Sequence, residues 1–472
     1  MQLKRKRRGR ITRTLGLLTA NLLAATVANA QPAPSGDANA PDAAAAHGAN
    51  ANDDTLTDVG LTRIDSAVLF YREAGGRVMA TEPVISATVN NSNGDSLSLK
   101  LTSDTLTGAT PNGATPSRLS QTFITPARPP GTSAVVTSAS GGSTIITIPG
   151  TGTIARQYVI GPHQLPMDKG FRDQRRAIEA AYGLQWNPVT RLSATVGAST
   201  ERDYTTYTAG LGLSRDFNQK NTTVSANLAL EYDQSRPFFG TPQPLTVMSA
   251  APKGPNASKT ETSLLLGVTQ VMNRRWLTQL NYTVDSDDGY QTEPYRIISV
   301  VDPTTGDPLQ YLYESRPKSR LRQSVYWGNK FALGPTVTDF SARYYHDSWG
   351  VNSVTAALAE RVALTSWVYV EPQARYYSQT AAAFFRNYLV SGQALPTYAT
   401  SDSRLGNFKA ATLALKFGFK IGHTGELYVE GDSYKQTGAA HPAGAIGYLA
   451  NENLFTGVTA SSLMFGYSFT FY

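Results

Sequence analysis

The 472-residue chain contains no cysteine, which excludes disulfides, thiolate metal sites and cysteine nucleophiles together. From about Leu61 onward it also lacks any apolar stretch approaching the roughly 20 residues that a membrane helix needs. Its five histidines, His47, His163, His346, His423 and His441, show no metal-ligand spacing, so no metal site is expected. No phosphate-cradling glycine loop follows a strand and opens a helix, so nucleotide chemistry is not indicated, and no cofactor of any kind is expected.

An excess of one charge is missing as well, once the N-terminus is set aside. The chain has 42 Lys plus Arg against 35 Asp plus Glu, but seven of the basic residues, Lys4, Arg5, Lys6, Arg7, Arg8, Arg10 and Arg13, lie in the first thirty positions with no acidic residue among them. The remainder is neutral. The basic balance therefore belongs to the N-terminal segment and gives no reason to expect nucleic acid as a partner. That segment has the order of a secretory signal peptide: the basic cluster, the apolar run Leu15 to Val27, and the small-residue site Ala28-Asn29-Ala30. Residues 31–56 are rich in Ala, Asn, Asp, Pro and Gly with almost no large apolar side chain, which reads as a disordered periplasmic linker. Cleavage after residue 30 and delivery to a Gram-negative outer membrane are the expected route.

What the rest of the chain does have is alternation with period two. Leu97, Leu99 and Leu101 oppose Lys100, Thr102 and Asp104, while Ile178, Ala180, Tyr182 and Leu184 oppose Glu179 and Gln185. Sixteen such runs are bounded by turn residues, at 64–73, 80–90, 95–108, 174–185, 188–200, 204–217, 221–234, 261–273, 276–287, 319–331, 337–348, 353–363, 367–379, 406–420, 424–435 and 461–472. The connections between them segregate by parity. Tight turns such as Asn91-Ser92-Asn93-Gly94, Asn218-Gln219-Lys220, Gly334-Pro335 and Gly422-His423-Thr424-Gly425 fall at every second junction, and the long segments 109–173, 235–260, 288–318, 380–405 and 436–460 take the others. A soluble sandwich has no reason to sort loop lengths this way, whereas short periplasmic turns and long extracellular loops characterise bacterial barrels. The fold expected is all-β, a transmembrane antiparallel barrel spanning 57–472 with about sixteen strands, fourteen or eighteen being the alternatives.

The last strand carries the same message. Leu463, Phe465, Tyr467, Phe469 and Phe471 form one apolar face, displaced by one residue from the commonest barrel pattern, in which the terminal residue itself belongs to the series. The strands divide into two unlike surfaces, with Leu321, Val325, Trp327, Phe331, Phe340, Tyr344, Ala374, Tyr376, Leu413, Leu415, Phe417, Leu427 and Val429 assigned to lipid. The candidates for the lumen are Arg320, Arg322, Asp339, Arg343, Glu371, Arg375, Lys416 and Glu430. A basic side chain in mid-lipid costs about 2–4 kcal/mol, so energy decides the assignment. The four arginines, on neighbouring strands, make either a ladder that orients anionic solutes or an ion-pair network with Asp339 and Glu371. Trp186, Trp276, Trp327 and Trp349 are expected near strand ends, at the interface.

No catalytic residue is assigned, and the protein is not expected to be an enzyme. His346-Asp347-Ser348 sets three catalytic residue types side by side, but adjacent strand residues point to opposite faces, leaving a barrel hydrolase as a minor alternative. Asp285-Ser286-Asp287-Asp288-Gly289 resembles the start of a calcium loop without the remaining ligands.

Several stretches carry a family resemblance: Asp216 to Thr223, Gly267 to Arg275, Asp288-Gly289-Tyr290 through Tyr295, Tyr313 to Pro317, Arg375-Tyr376-Tyr377, and Leu106 to Ser117. In these the chain resembles a bacterial family catalogued as domain of unknown function 3570. The resemblance implies an outer-membrane barrel, supplies no activity or catalytic residue, and hints at a role near extracytoplasmic redox chemistry as scaffold or conduit. Two functions follow as expectations: a channel for small polar solutes, or a closed barrel serving as a platform for a periplasmic or extracellular redox partner. Outer-membrane lipid and the barrel-assembly machinery are the remaining expected partners.

Overall fold

The computed structural model describes residues 62–126, 143–147, 154–238, 240–248, 254–455 and 457–471; the expected signal peptide and linker lie outside them. Alternating segments become strands here because β-branched, aromatic and threonine-rich runs pack well on a pleated surface. The first eight wall strands are β1 (Thr62–Glu73), β2 (Met79–Asn90), β3 (Ser96–Pro111), β4 (Met167–Asn187), β5 (Thr190–Thr200), β6 (Tyr204–Phe217), β7 (Thr222–Ser235) and β8 (Ala257–Asn273). The second eight are β9 (Trp276–Gly289), β10 (Ser319–Leu333), β11 (Thr336–Asp347), β12 (Asn352–Ala363), β13 (Val368–Gln379), β14 (Phe408–Ile421), β15 (Gly425–Gly438) and β16 (Thr459–Phe471). Each pairs antiparallel with its sequence neighbours, and β16 returns to β1, closing one barrel of sixteen strands. The closing register runs without a shift from Thr62 opposite Phe471 to Glu73 opposite Ala460.

The two surfaces are separated by exposure. Leu413, Leu415 and Phe417 are 66%, 43% and 40% exposed, while Lys416 between them is 5% exposed. In β16, Leu463, Phe465, Tyr467, Phe469 and Phe471 all point outward, with Met464 and Thr470 buried on the other side. Such an apolar exterior on a closed sheet is the wall of a transmembrane barrel, since closure pairs every backbone polar group that lipid cannot satisfy.

At one end of the barrel the strands are joined by the short connections 91–95, 188–189, 218–221, 274–275, 334–335, 364–367 and 422–424. Asn91 closes the first of these, its Oδ1 accepting from the backbone N–H groups of Asn93 and Asp95. The 218–221 turn uses three successive left-handed residues, Asn218, Gln219 and Lys220. The connections 112–166, 236–256, 290–318, 380–407 and 439–458 all emerge at the opposite, loop end, together with the short 74–78, 201–203 and 348–351.

Three details depart from the sequence expectation. β4 starts at Met167 instead of residue 174, because residues 167–171 extend past the wall and pair with β3 from Gly108 to Pro111 without needing an apolar face. Trp327 sits mid-strand, where its indole Nε1 donates to Thr278 Oγ1 across the outer face at 3.1 Å. Trp349 is not interfacial either: it is buried edge-on against Phe384, with ring centroids 5.0 Å apart.

The long connections carry structure of their own. Gln121–Pro126, Ile154–Ile160 and Ser143–Thr147 form one small sheet, and Pro308–Tyr313, Ile297–Val301 and Leu389–Val390 form another. Ile298, Val300, Leu312, Leu389 and Ala399 share a buried core that joins segments from two different connections.

The face assignment is testable by one pair of substitutions in β14. Leu415→Arg places a guanidinium in mid-lipid at a cost of about 2–4 kcal/mol and is expected to abolish the heat-modifiable band of folded protein on gels. Lys416→Gln is expected to keep that band; reversed results would shift β14 by one residue.

Candidate functional site

The inner wall is built around two notches. Tyr369 of β13 lies opposite Gly418 of β14, and Tyr428 of β15 lies opposite Gly466 of β16. A Cβ on Gly418 would stand 2.0 Å from Tyr369 Cζ, and one on Gly466 would stand 2.0 Å from Tyr428 Cζ. Only glycine permits each ring to lie flat on the wall at these points. Each flat ring then carries a cation: the Arg361 guanidinium sits 4.2 Å from the Tyr369 centroid, and Lys416 Nζ 4.1 Å from that of Tyr428. Tyr369 Oη donates to Glu426 Oε1 at 2.6 Å, fixing the ring. Arg343 over Tyr326 and Arg375 over Tyr377 repeat the arrangement more loosely, at 5.7 and 5.9 Å.

All eight residues named from the sequence project to the inner side of the wall, opposite the exposed apolar series. Their partners differ from those expected. Asp339 pairs with Lys330 at 3.3 Å and Glu371 with Arg361 at 2.6 Å, so neither serves the arginine group. Arg320 instead reaches Asp347 at 2.5 Å and covers the Trp349 ring at 4.2 Å. Arg322 is surrounded by Glu261 at 2.5 Å, Asp287 at 3.0 Å and Asp285 at 4.0 Å. Among the described residues Arg343 and Arg375 have no carboxylate within 4 Å, and each lies over a tyrosine ring. Lys416 is in register with Glu371 on one neighbouring strand and Glu430 on the other.

The two open sequence readings therefore divide. Arg320 and Arg322 belong to ion-pair clusters, and Arg343 and Arg375 face the lumen over tyrosine rings, with no carboxylate within 4 Å among the described residues. Sequence reasoning missed Arg361, Tyr369 and Tyr428; the available signal was the pairing of lumen-facing tyrosines with glycines on adjacent strands. His346 and Asp347 point to opposite sides, His346 Nδ1 meeting Asn352 Oδ1 at 2.9 Å on the outside and Asp347 meeting Arg320 on the inside, so they form no dyad. Asp285 and Asp287 are wall residues of β9 paired with Arg322, not a calcium loop.

Above this wall the loop-end connections form a cap. Tyr71, Ala410, Tyr434 and Ala460 on the inner face cluster with Val78 and Val458, filling one side of the mouth with apolar side chains. Across the mouth, Ser401 Oγ donates to the carbonyls of Gly113 and Ile297 at 2.7 and 2.9 Å, Tyr448 Oη to Pro116 O at 2.9 Å, and the Met248 N–H to Tyr311 O at 2.8 Å. These bonds tie all five long connections together.

At the centre of the cap, three arginines meet three carboxylates. Asp402 receives Arg404 at 2.6 Å, Arg316 at 2.8 Å and Arg296 at 3.5 Å, and Arg316 also holds Glu314 at 2.7 Å. Glu293 lies 4.0 Å from Arg404. Burial by itself would raise the Asp402 carboxyl, but Arg296, Arg404 and Arg316 overcome it and hold the group well below the usual carboxylate range. Glu293, with more distant cations, goes the other way: its burial outweighs them and raises it.

The chain matches a family described as a protein of unknown function (DUF3570) over residues 20–469, and it belongs to that family. No curated protein matches it. Among solved structures it is similar to a bacterial polysaccharide outer-membrane secretin, at 9% identity and a TM-score of 0.43, covering 89% of this chain and 100% of that one. It is also similar to the ferric enterobactin receptor of Pseudomonas aeruginosa in complex with enterobactin, at 10% identity, TM-score 0.40 and 84% of this chain. The siderophore receptor PirA of Acinetobacter baumannii follows at 7% identity, TM-score 0.37 and 81% of this chain. This chain spans 58% and 53% of the two receptor chains.

Two outcomes test this geometry. Asp402→Ala leaves three buried guanidiniums short of a counter-charge and should destabilise the cap by about 3–5 kcal/mol, seen as faster hydrogen exchange across 290–318 and 380–407 with the wall strands still protected. Because the Asp402 carboxyl is depressed in the folded state, its contribution is present above the unfolded value of about 3.9 and is lost only as pH falls through the lower folded value. Cap exchange in the wild type should therefore stay slow at pH 4; loss of protection between pH 6 and 4 would contradict it.

Proposed function

We propose that this protein is an outer-membrane channel for small polar solutes, with the loop end outside the cell and the cap narrowing its mouth. A sixteen-strand barrel is wide enough to enclose water. The observation that carries the reading is the construction of the inner wall from β10 to β15, where tyrosines are sunk into glycine notches and charged groups lie flat on them. Side chains arranged in this way line a passage. A barrel packed solid would direct its large residues toward the axis. Arg343 and Arg375, over ring faces and with no carboxylate within 4 Å among the described residues, supply positive charge at the passage.

A second reading, a closed barrel used as a binding platform, is favoured by the cap, whose connections share hydrophobic cores and a buried ion cluster as a rigid domain does. Planar-bilayer recording separates the two. The channel reading expects stepwise conductance, increased in a variant lacking residues 117–162, and a shift of reversal potential toward cation preference in Arg343→Glu/Arg375→Glu. Absence of conductance in both the full chain and the deletion variant would leave the platform.

A further inference from the structure

We propose that the outer face of the barrel at its loop end, from β14 through the closing seam to β4, binds a glycolipid carrying two or more phosphates in the surrounding leaflet. Four cations define the surface: Arg72, Arg176, Lys409 and Lys435. Each is exposed and flanked in its strand by neighbours turned to the inner side: Tyr71 and Glu73 beside Arg72, Arg175 and Ala177 beside Arg176, Phe408 and Ala410 beside Lys409, Tyr434 and Gln436 beside Lys435. All four therefore point to the lipid side.

Register places them at one rim. Arg72 is the penultimate residue of β1 and Lys409 the second of β14; Arg176 lies opposite Thr200, the last residue of β5, and Lys435 opposite Thr459, the first of β16. None has a carboxylate within 4 Å among the described residues. The rest of the rim is different: the corresponding outward positions carry Gln234, Ser258, Asp288, Ser319, Asn352 and Ser378. Basic charge on the outward positions of the strands themselves at this rim is thus concentrated in one sector, the exposed Arg202, Arg236 and Lys318 elsewhere lying in the connections, and an even aqueous halo around the barrel would not need that concentration.

Directly below Arg176 the same sector holds a groove of about 730 Å³ on the lipid face, walled by Val68, Ile85, Leu101, Phe465 and Tyr467, with Arg176 on its margin. An apolar trough ending at a cation fits an acyl chain attached to an anionic headgroup. Arg72 and Arg176 stand three strands apart, and because Arg72 is in register through Met79 and Thr107 with Arg172, they are also offset by four residues along the strands, about 19 Å in all at ordinary strand spacing and rise. Lys435 lies two strands from Arg72 on the other side. A single phosphate cannot reach both flanks, whereas a phosphorylated sugar lipid with phosphates at its two ends can. Assigning the lipid to the outer leaflet rests on the orientation given under the proposed function; the chemistry of the band does not.

The test uses the purified, folded full-length protein in dodecyl maltoside, titrated with hexa-acylated bisphosphoryl lipid A and followed by native mass spectrometry. The expected result is one retained lipid, lost with fully dephosphorylated lipid A, and bound at least about tenfold more weakly by Arg72→Gln/Arg176→Gln/Lys409→Gln/Lys435→Gln. Arg215→Gln/Arg275→Gln, which removes two exposed cations at the turn end, should bind as the wild type does. If the fourfold variant does not give the heat-modifiable band, Arg176→Gln and Lys435→Gln singly should each weaken binding. Equal binding by the basic-band variants, or equal affinity for phosphatidylglycerol, overturns the proposal. Because binding is read without conductance, its failure and that of the channel are separable.

Discussion

The pairing of β1 with β16 is the interaction on which everything else in this molecule depends. Twelve consecutive opposed positions, from Thr62 with Phe471 to Glu73 with Ala460, convert an open sheet into a closed one. In lipid an open edge would leave a row of unpaired N–H and C=O groups, each costing several kcal/mol. Closure also settles the faces, because opposed residues share a side. Ile64, Val68 and Phe70 turn outward on β1, and so Phe469, Phe465 and Leu463 must do the same on β16. That explains the displaced aromatic series at the C-terminus: Phe471 ends the outward set because it faces Thr62, and the displacement is a matter of register, with no loss of the lipid-facing pattern.

Once the faces are fixed, the inner wall inherits more charge than a protein interior ordinarily holds, and the structure neutralises it in three ways. Carboxylates gather around a guanidinium, as at Arg322; cations lie on aromatic rings, as at Arg361 and Lys416; and the remaining pairs bridge neighbouring strands, as Lys330 does with Asp339. The ring-borne cations depend on glycines, since Gly418 and Gly466 let the tyrosines sink to wall level. Wall architecture and lumen chemistry are therefore one problem: the residue without a side chain decides where the charged one can lie. The cap repeats this logic in a drier setting, where Asp402 is held ionised by three arginines.

Much of this was legible in the chain itself. Two-residue alternation and the parity of loop lengths sufficed for the strand number, and the cost of charge in lipid sufficed for faces such as that of Leu415 against Lys416. Partners were less legible. Arg320 reaches Asp347 diagonally on the adjacent strand, Asp347 being opposite Arg322, and Arg361 meets Glu371 because the register between Ala359–Gln373 and Val362–Val370 sets them opposite. Rotamer and exact register decide these partners, and alternation encodes neither. The cap was hidden for a related reason. Ile297–Val301 is a short apolar run inside a long connection, and its partner Leu389–Val390 lies far along the chain, so no local period announces the sheet they form. The outer basic band was visible only after register had brought Arg72, Arg176, Lys409 and Lys435 to a common rim.

The absence of cysteine gives a clean background for the decisive measurement. In the closed barrel Leu69 lies opposite Met464, so the paired substitutions Leu69→Cys and Met464→Cys should form an intramolecular disulfide on mild oxidation of the folded protein in membranes, seen as a mobility change reversed by reductant. The offset pair Leu69→Cys with Phe465→Cys places the thiols on opposite faces and should not crosslink. Crosslinking of the offset pair, or of neither, would contradict the closure and register on which the account rests.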